Sequence, residues 1–299
     1  MLSFIIPTYN YVCVQLAADL TEQAEALHRQ MPQAFDYEVL VGDDASTDKA
    51  TVEANRAINH LPHARLIEME QNVGRAFLLN RLMEEAQFDH VVMIDSDAAV
   101  CTPDFVSRYW HAREEASVLC GTLRNPDTPV QPGCELRYKY EHAATTLRQQ
   151  QTEENLSPYF RLSTFNLMLD KRALGDLRFD IRCEEYGYED ALLGLEMQRQ
   201  GITLLHIDNP LIHTGIDSNA SFLSKTEAAM RTLSRLTGLM QEQAGPSRYY
   251  RRLQAFGLGR PAAWCFRLLR PLLRCNLLSH HPSLLIFQLY KLGYYASLK

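Results

Sequence analysis

The chain has 299 residues, with 36 Asp/Glu against 30 Lys/Arg and a net charge of −6. That length and balance suit one large α/β domain, or one domain with an appendage, and an acidic chain of this kind is not expected to bind nucleic acid. Its seven cysteines are scattered, odd in number and without a Cys-x-x-Cys pair, which points to free thiols in a reducing compartment rather than disulfides or zinc.

Leu2–Ile6 reads as a first strand that follows Met1 directly. There is no basic leader region and no small-residue cleavage site, so a secretory signal is not expected. Pro7 stops the strand. From Val12 to about Gln30, apolar Val12, Leu16, Leu20, Ala24 and Leu27 recur at helical spacing. Tyr37–Val41 is a second strand that runs into Gly42-Asp43-Asp44-Ala45-Ser46-Thr47-Asp48. Thr51–His60 is a helix and Arg65–Met69 a third strand. Asn72-Val73-Gly74-Arg75 opens a helix to about Gln87, and Val91–Ile94 is a fourth strand. Strands and helices alternating at this spacing predict a mostly parallel sheet with helices on both faces.

Beyond it come a helix over Pro103–Glu115, a strand over Val118–Leu123 and a Pro/Gly-rich loop from Asn125 to Gly133. A polar helix over Glu135–Gln151 and a strand over Leu162–Leu169 follow. Tyr186-Gly187-Tyr188-Glu189-Asp190 leads into a helix ending at Gly201. Thr203–Ile207 is a strand, Leu211–Gly215 a short segment after Pro210, and Asn219–Met240 a long helix. No apolar run reaches the roughly 18 residues that a membrane span needs. The predicted organisation is a catalytic domain over 1–215, with halves 1–100 and 101–215, and a helical region over 216–299.

The chemistry concentrates where the strands end. Neither the dinucleotide Gly-x-Gly-x-x-Gly loop nor the Gly-x-x-x-x-Gly-Lys-Ser/Thr phosphate loop is present. Instead, Val91–Val100 reads VVMIDSDAAV. In an extended chain Asp95 and Asp97 point the same way and could converge on one cation, for which Mg²⁺ or Mn²⁺ suits hard oxygen ligands. The plain alternative is an Asp that caps the following segment. Asp43 or Asp44 could accept from a base or from ribose hydroxyls, while Asp48 reads as a helix N-cap. Asn72, Gly74 and Arg75 sit at a helix N-terminus suited to anionic groups, although Arg75 could equally be a surface ion-pair partner. Asp190, also at a helix start, has the helix dipole favouring its ionised form, with simple capping as the alternative. His206 reads as structural.

SFIIPTYN, EVLVGDDASTD, NVGRAFLLN, VVMIDSDAAV and YGYED, in this order and spacing, resemble the family 2 glycosyltransferases of the GT-A fold over about residues 1–215. The resemblance implies a nucleotide-binding α/β sheet fused to an acceptor-binding half. Pro7, Thr8, Tyr9, Asp43 or Asp44, Asn72, Gly74, Arg75 and Ser96 would line the nucleotide site, with Asp95 beside the ribose. Asp97 and His213 would hold the Mg²⁺ or Mn²⁺. Asp190, of the Glu189-Asp190 pair, would be the catalytic base. Two positions depart from the pattern: Gly42 is more often aliphatic, and Ala45 more often Gly or Cys. The Gln-x-x-Arg-Trp motif of processive synthases is absent, which favours single addition.

The expected activity is inverting transfer of a hexosyl or N-acetylhexosaminyl group from a nucleotide sugar, UDP-linked, to a glycan or lipid-linked glycan of the cell envelope. A sugar-phosphate nucleotidyltransferase and a non-catalytic nucleotide-sugar-binding protein are the alternatives. From Ser247 onward the chain carries nine Lys/Arg and no acidic residue. Arg267, Arg270 and Arg274 fall on one helical face, and Pro271 should kink or divide that helix. Either these helices pack on the catalytic domain, or they lie on an anionic membrane surface at the inner face of a cytoplasmic enzyme's membrane.

Overall fold

The computed structural model describes residues 1–126, 130–150, 157–179, 187–236, 241–242 and 244–299, with the side chains of 144–150 and 160 left out. Tyr186, Cys183, Gln151 and the expected helix end at Thr237–Met240 lie outside them. The chain divides into two compact units. The first holds Met1–Pro126, Leu156–Arg182 and Leu193–Gly215, and the second Asp127–Asn155, Cys183–Leu192 and Ile216–Lys299.

The first unit is built on an eight-stranded sheet. Its strands are β1 (Leu2–Thr8), β2 (Tyr37–Asp43), β3 (Ala64–Glu68), β4 (His90–Ile94), β5 (Ala98–Val100), β6 (Val118–Arg124), β7 (Asn166–Asp170) and β8 (Leu204–His213). Their order is β3-β2-β1-β4-β7-β6-β8-β5. β1 to β4 pair in parallel as predicted, whereas β7 runs antiparallel to both β4 and β6, and β5 antiparallel to β8. The central strands are buried on both faces, and alternate residues serve different cores. Phe4, Ile6, Val39, Val41 and Val92 pack with Leu16, Leu20 and Leu27 of the helix Val14–Gln30. Ile5, Leu40, Val91 and Met93 pack with Leu78, Leu79 and Leu82 of the helix Arg75–Glu85. Leu20 has no exposure, so truncation to alanine should cost about 2–5 kcal/mol.

Pro7, expected to stop its strand, does not, and Pro210 also lies inside one. β1 continues through Pro7, which pairs with Gly42 on β2. Its β4 neighbours end at Ile5↔Met93, so the missing N–H costs no bond on that side. β8 runs through Pro210, opposite Thr122 at a register irregularity in β6, where a ladder bond is already lost. One of the two departures from the family pattern has a local cause. A Cβ at Gly42 would lie 2.9 Å from Leu78 Cδ1 and 3.0 Å from Leu82 Cδ1, so glycine lets that helix approach the sheet. Ala45 sits at φ 56°, the left-handed region that glycine fills without strain.

The second unit is helical: Glu135–Gln150, Asn219–Arg235, Gly245–Ala255, Gly259–Leu277 and Leu284–Ser297. Leu136, Phe222, Leu223, Phe266, Leu277, Phe287 and Tyr290 form its core. The helix Glu135–Gln150 therefore belongs with the C-terminal helices. Its apolar side is covered by Phe222 and Phe287, and so this segment groups apart from the contiguous 101–215 half expected from sequence. The helix Gly259–Leu277 is undivided at Pro271. Arg270 and Arg274 both donate to Glu227 Oε1, at 3.1 and 2.9 Å, and Tyr290 Oη donates to the same oxygen. Two of the three arginines that share one helical face are thus used in packing. No described helix is long and apolar enough to cross a membrane.

Candidate active site

In the first unit the carboxyl ends of β1, β2 and β4 carry the polar loops, the usual ligand edge of a parallel sheet. The loops are tied to one another. Asn10 Oδ1, after β1, accepts from Thr47 N at 2.8 Å and Asp48 N at 3.0 Å. Asp48 caps the next helix as expected, accepting from Ala50 N at 3.1 Å. Pro7 and Thr8 lie in β1 itself, and Thr8 O accepts from Asp44 N. Tyr9 is about half exposed.

The adjacent acids at the end of β2 part company. Asp44 is buried, and its two oxygens accept from Val73 N at 2.7 Å and Gly74 N at 2.9 Å. Asn72 Nδ2 returns a bond to Asp44 O at 3.1 Å. The amides that open the helix Arg75–Glu85 are therefore held by Asp44. Gly74 makes that turn possible at φ 84°. Asp43, also buried, receives one bond, from Ser46 N to Oδ1 at 2.8 Å. Asp44 thus organises the loop, and Asp43 is the better placed of the two for a ligand.

Asp95 and Asp97 also separate. β4 ends at Ile94, so both lie in a turn and the alternation of an extended strand does not apply. Asp95 is paired with Arg75, the ion-pair reading of that arginine. Desolvation pushes the Asp95 carboxyl up; the charge of Arg75 opposes this and that of Asp97 adds to it. Asp97 turns to the other strand end. β5, only three residues long, pairs antiparallel with β8 so that Ala98 faces His213. That register sets His213 Nε2 3.0 Å from Asp97 Oδ2. The imidazole is almost wholly buried and meets the Phe165 ring edge-on at 5.5 Å.

Two residues that sequence reasoning did not single out fix Asp97. Thr214 donates to Asp97 O from both N and Oγ1, at 2.8 and 2.7 Å. Gly215 passes so close that a Cβ there would lie 2.5 Å from Asp97 Cβ and 2.6 Å from Oδ2. The available signal was their position directly after His213. The carboxylate is a hard ligand suited to Mg²⁺ or Mn²⁺, and the imidazole nitrogen beside it favours a transition-metal ion over Mg²⁺. Among the described residues no third His, Cys, Asp or Glu joins the pair.

Glu189 and Asp190, which belong to the second unit, open the helix Glu189–Gln200. Glu189 Oε2 accepts from Gly187 N at 2.9 Å, the capping role. Tyr188 sits at φ 71°, and a Cβ on Gly187 would lie 2.6 Å from Ala229 Cβ. This held, strained loop borders a cavity of about 330 Å³ lined by Tyr140, Tyr188, Asp190, Phe222, Phe287 and Lys291. Lys291 Nζ lies over the rings of Tyr140 and Phe287, at 5.0 and 4.9 Å.

Residues 3–168 match the family model described as Glycosyl transferase family 2. The chain belongs to that family. It is a glycosyltransferase of the GT-A type. A curated relative, the Bacillus subtilis (strain 168) protein named "Putative teichuronic acid biosynthesis glycosyltransferase TuaG", is 23% identical over 240 residues, 78% of this chain and 85% of that one. Solved structures at low identity share the fold. The Pyrobaculum calidifontis mannosyltransferase PcManGT, in complex with GDP-Man and Mn²⁺, has a TM-score of 0.54 at 15% identity, covering 99% of this chain and 84% of that one. Glucosyl-3-phosphoglycerate synthase from Mycobacterium tuberculosis, in complex with Mn²⁺, UDP and glucosyl-3-phosphoglycerate, has a TM-score of 0.51 at 21% identity, covering 79% of each chain. In S. aureus TarS (TM-score 0.50, 18% identity) the match covers 80% of this chain and 40% of that chain.

Proposed function

We propose that this family 2 enzyme is an inverting, divalent-metal-dependent transferase. It would add a single hexosyl or N-acetylhexosaminyl residue from a UDP-sugar to a glycan or lipid-linked glycan of the cell envelope. The observation that carries the reading is the 3.0 Å approach of His213 Nε2 to Asp97 Oδ2 at the carboxyl edge of the sheet. The fold likeness to proteins solved with UDP and Mn²⁺ supports it, as does the named role of the B. subtilis relative in teichuronic acid biosynthesis.

Asp97 and His213 would hold the ion. When bound, it neutralises charge on the departing diphosphate. Asp43 takes the nucleoside through its second carboxylate oxygen, and the Arg75–Asp95 pair borders the ribose and phosphates. Asp190 accepts the proton of the acceptor hydroxyl as that oxygen attacks the anomeric carbon, while the nucleoside diphosphate leaves from the opposite face. The aromatic cavity beside Asp190 takes the acceptor ring, since sugar faces pack on aromatic rings. The basic C-terminal helices bring the enzyme to an anionic membrane surface, where a lipid-linked acceptor resides.

A panel of nucleotide sugars, scored by thermal shift with and without Mn²⁺, tests the reading. A ligand that binds only the folded state raises the melting temperature, so a UDP-sugar should do so in a Mn²⁺-dependent way. A flat response across the panel would sink the proposal. A shift without turnover would favour a non-catalytic binder.

A further inference from the structure

The second unit carries a groove of about 710 Å³ whose rim includes Arg260, Trp264, Arg267 and Lys299. Its three cations have no acidic partner among the described residues. Among the described residues Arg267 donates to Ser297 O, at 3.4 Å. Lys299 donates to Ser234 O at 2.6 Å and lies 5.6 Å from the Tyr295 ring. One and two turns further along, Arg270 and Arg274 are satisfied by Glu227. On the same helix two arginines are therefore neutralised, and Arg260 and Arg267 meet no carboxylate among the described residues. Three cations around one concavity favour an anion there.

The groove adjoins an apolar stripe. Trp264, Leu268 and Leu272 recur every four residues on the helix Gly259–Leu277 and are 66%, 65% and 69% exposed. Phe256, just before that helix, is 80% exposed. Large apolar side chains this open, next to unneutralised cations and with no acidic residue from Ser247 to the end, match the make-up of an interfacial helix. Trp264 belongs to both features, which is where an indole sits at a membrane–water boundary.

We propose that this groove is a headgroup site for an anionic phospholipid. Arg260, Arg267 and Lys299 hold the phosphate region, and the Trp264–Leu268–Leu272 stripe enters the acyl boundary. The assignment rests on the proposed membrane association and specifies its site and its lipid.

The test uses the full chain with vesicles of phosphatidylcholine alone or with 30% phosphatidylglycerol. Co-sedimentation should show at least about tenfold tighter binding to the anionic vesicles, a difference that shrinks in salt. Trp264 emission should shift to the blue, because the other tryptophan, Trp110, is already buried. The combined Arg260→Gln, Arg267→Gln, Lys299→Gln variant should lose the charge preference with its melting temperature unchanged. Leu268→Ala with Leu272→Ala should weaken binding to both vesicle types.

Anionic-vesicle binding that survives in the triple variant would overturn the groove and leave membrane association standing. No vesicle binding at all would overturn both. If inorganic phosphate alone then moved Trp264 emission, the groove would be a free-anion site and the lipid assignment would fall.

Discussion

Replacing Gly215 by alanine perturbs the candidate metal site without touching either proposed ligand. The added Cβ would lie 2.5 Å from Asp97 Cβ and 2.6 Å from Oδ2, where relaxed carbon contacts begin near 3.5 Å. About 1 Å of movement is required. The backbone of Asp97 is held by the N–H and hydroxyl of Thr214, so the carboxylate swings away from His213. Displacing the support of a metal ligand typically costs about 10–100-fold in metal affinity, near 1.4–2.7 kcal/mol. Overpacking adds about 1–3 kcal/mol of lost stability. The assay is donor hydrolysis against Mn²⁺ concentration, beside a thermal melt. Half-saturation should move up by about 10–100-fold. An unchanged Mn²⁺ curve in a folded variant would refute the placement of Asp97 and Gly215 in one site.

Asp44→Ala strips two part-buried amides of a charged acceptor and should destabilise the protein by about 1.5–3 kcal/mol; a melting temperature within a degree of the parent would contradict that role. Asp190→Asn should abolish transfer yet keep Mn²⁺-dependent UDP binding, and full transfer would remove the base assignment. Lys291→Gln should raise the acceptor KM with little change in donor KM, whereas a pure kcat loss would separate the cavity from acceptor binding. Burial raises the Glu135 carboxyl, but bonds from His280, Gly133 and Asn219 outweigh this and hold it at about 2. Its folded value is depressed, so its stabilisation is present above the unfolded value and fades as pH falls toward 2. The stability difference between parent and Glu135→Gln should therefore be full above about pH 5 and shrink below it, and a pH-independent difference would exclude the linkage.

The parallel half of the fold was legible because its signals are local. VVMI and FII are short buried strands, and the helix Val14–Gln30 shows its apolar period openly. β5 was not legible, since three residues carry no period. Yet β5 brings Asp97 to His213, residues 116 positions apart in sequence. The sequence named both residues but not the contact that joins them. Strand alternation put Asp95 and Asp97 on one face, but the strand stops at Ile94, and Asp95 pairs with Arg75 while Asp97 meets His213. Asp43 and Asp44 looked equivalent as text, and only tertiary hydrogen bonds from Val73 and Gly74 distinguish them. Gly215 and Thr214 were invisible as functional residues, because a close approach leaves no pattern in one chain. The acidic partner of Arg270 and Arg274 lies on a different helix, so the tail read as more uniformly basic than it is.

Calorimetric titration of UDP into the protein, with Mn²⁺ and then with excess chelator, bears most directly on the Asp97–His213 site. Binding should require Mn²⁺ in the parent, and Asp97→Ala and His213→Ala should each lose most of the Mn²⁺-dependent affinity while remaining folded. Equal UDP affinity with and without metal, or Mn²⁺-dependent binding unaffected by both substitutions, would contradict the assignment.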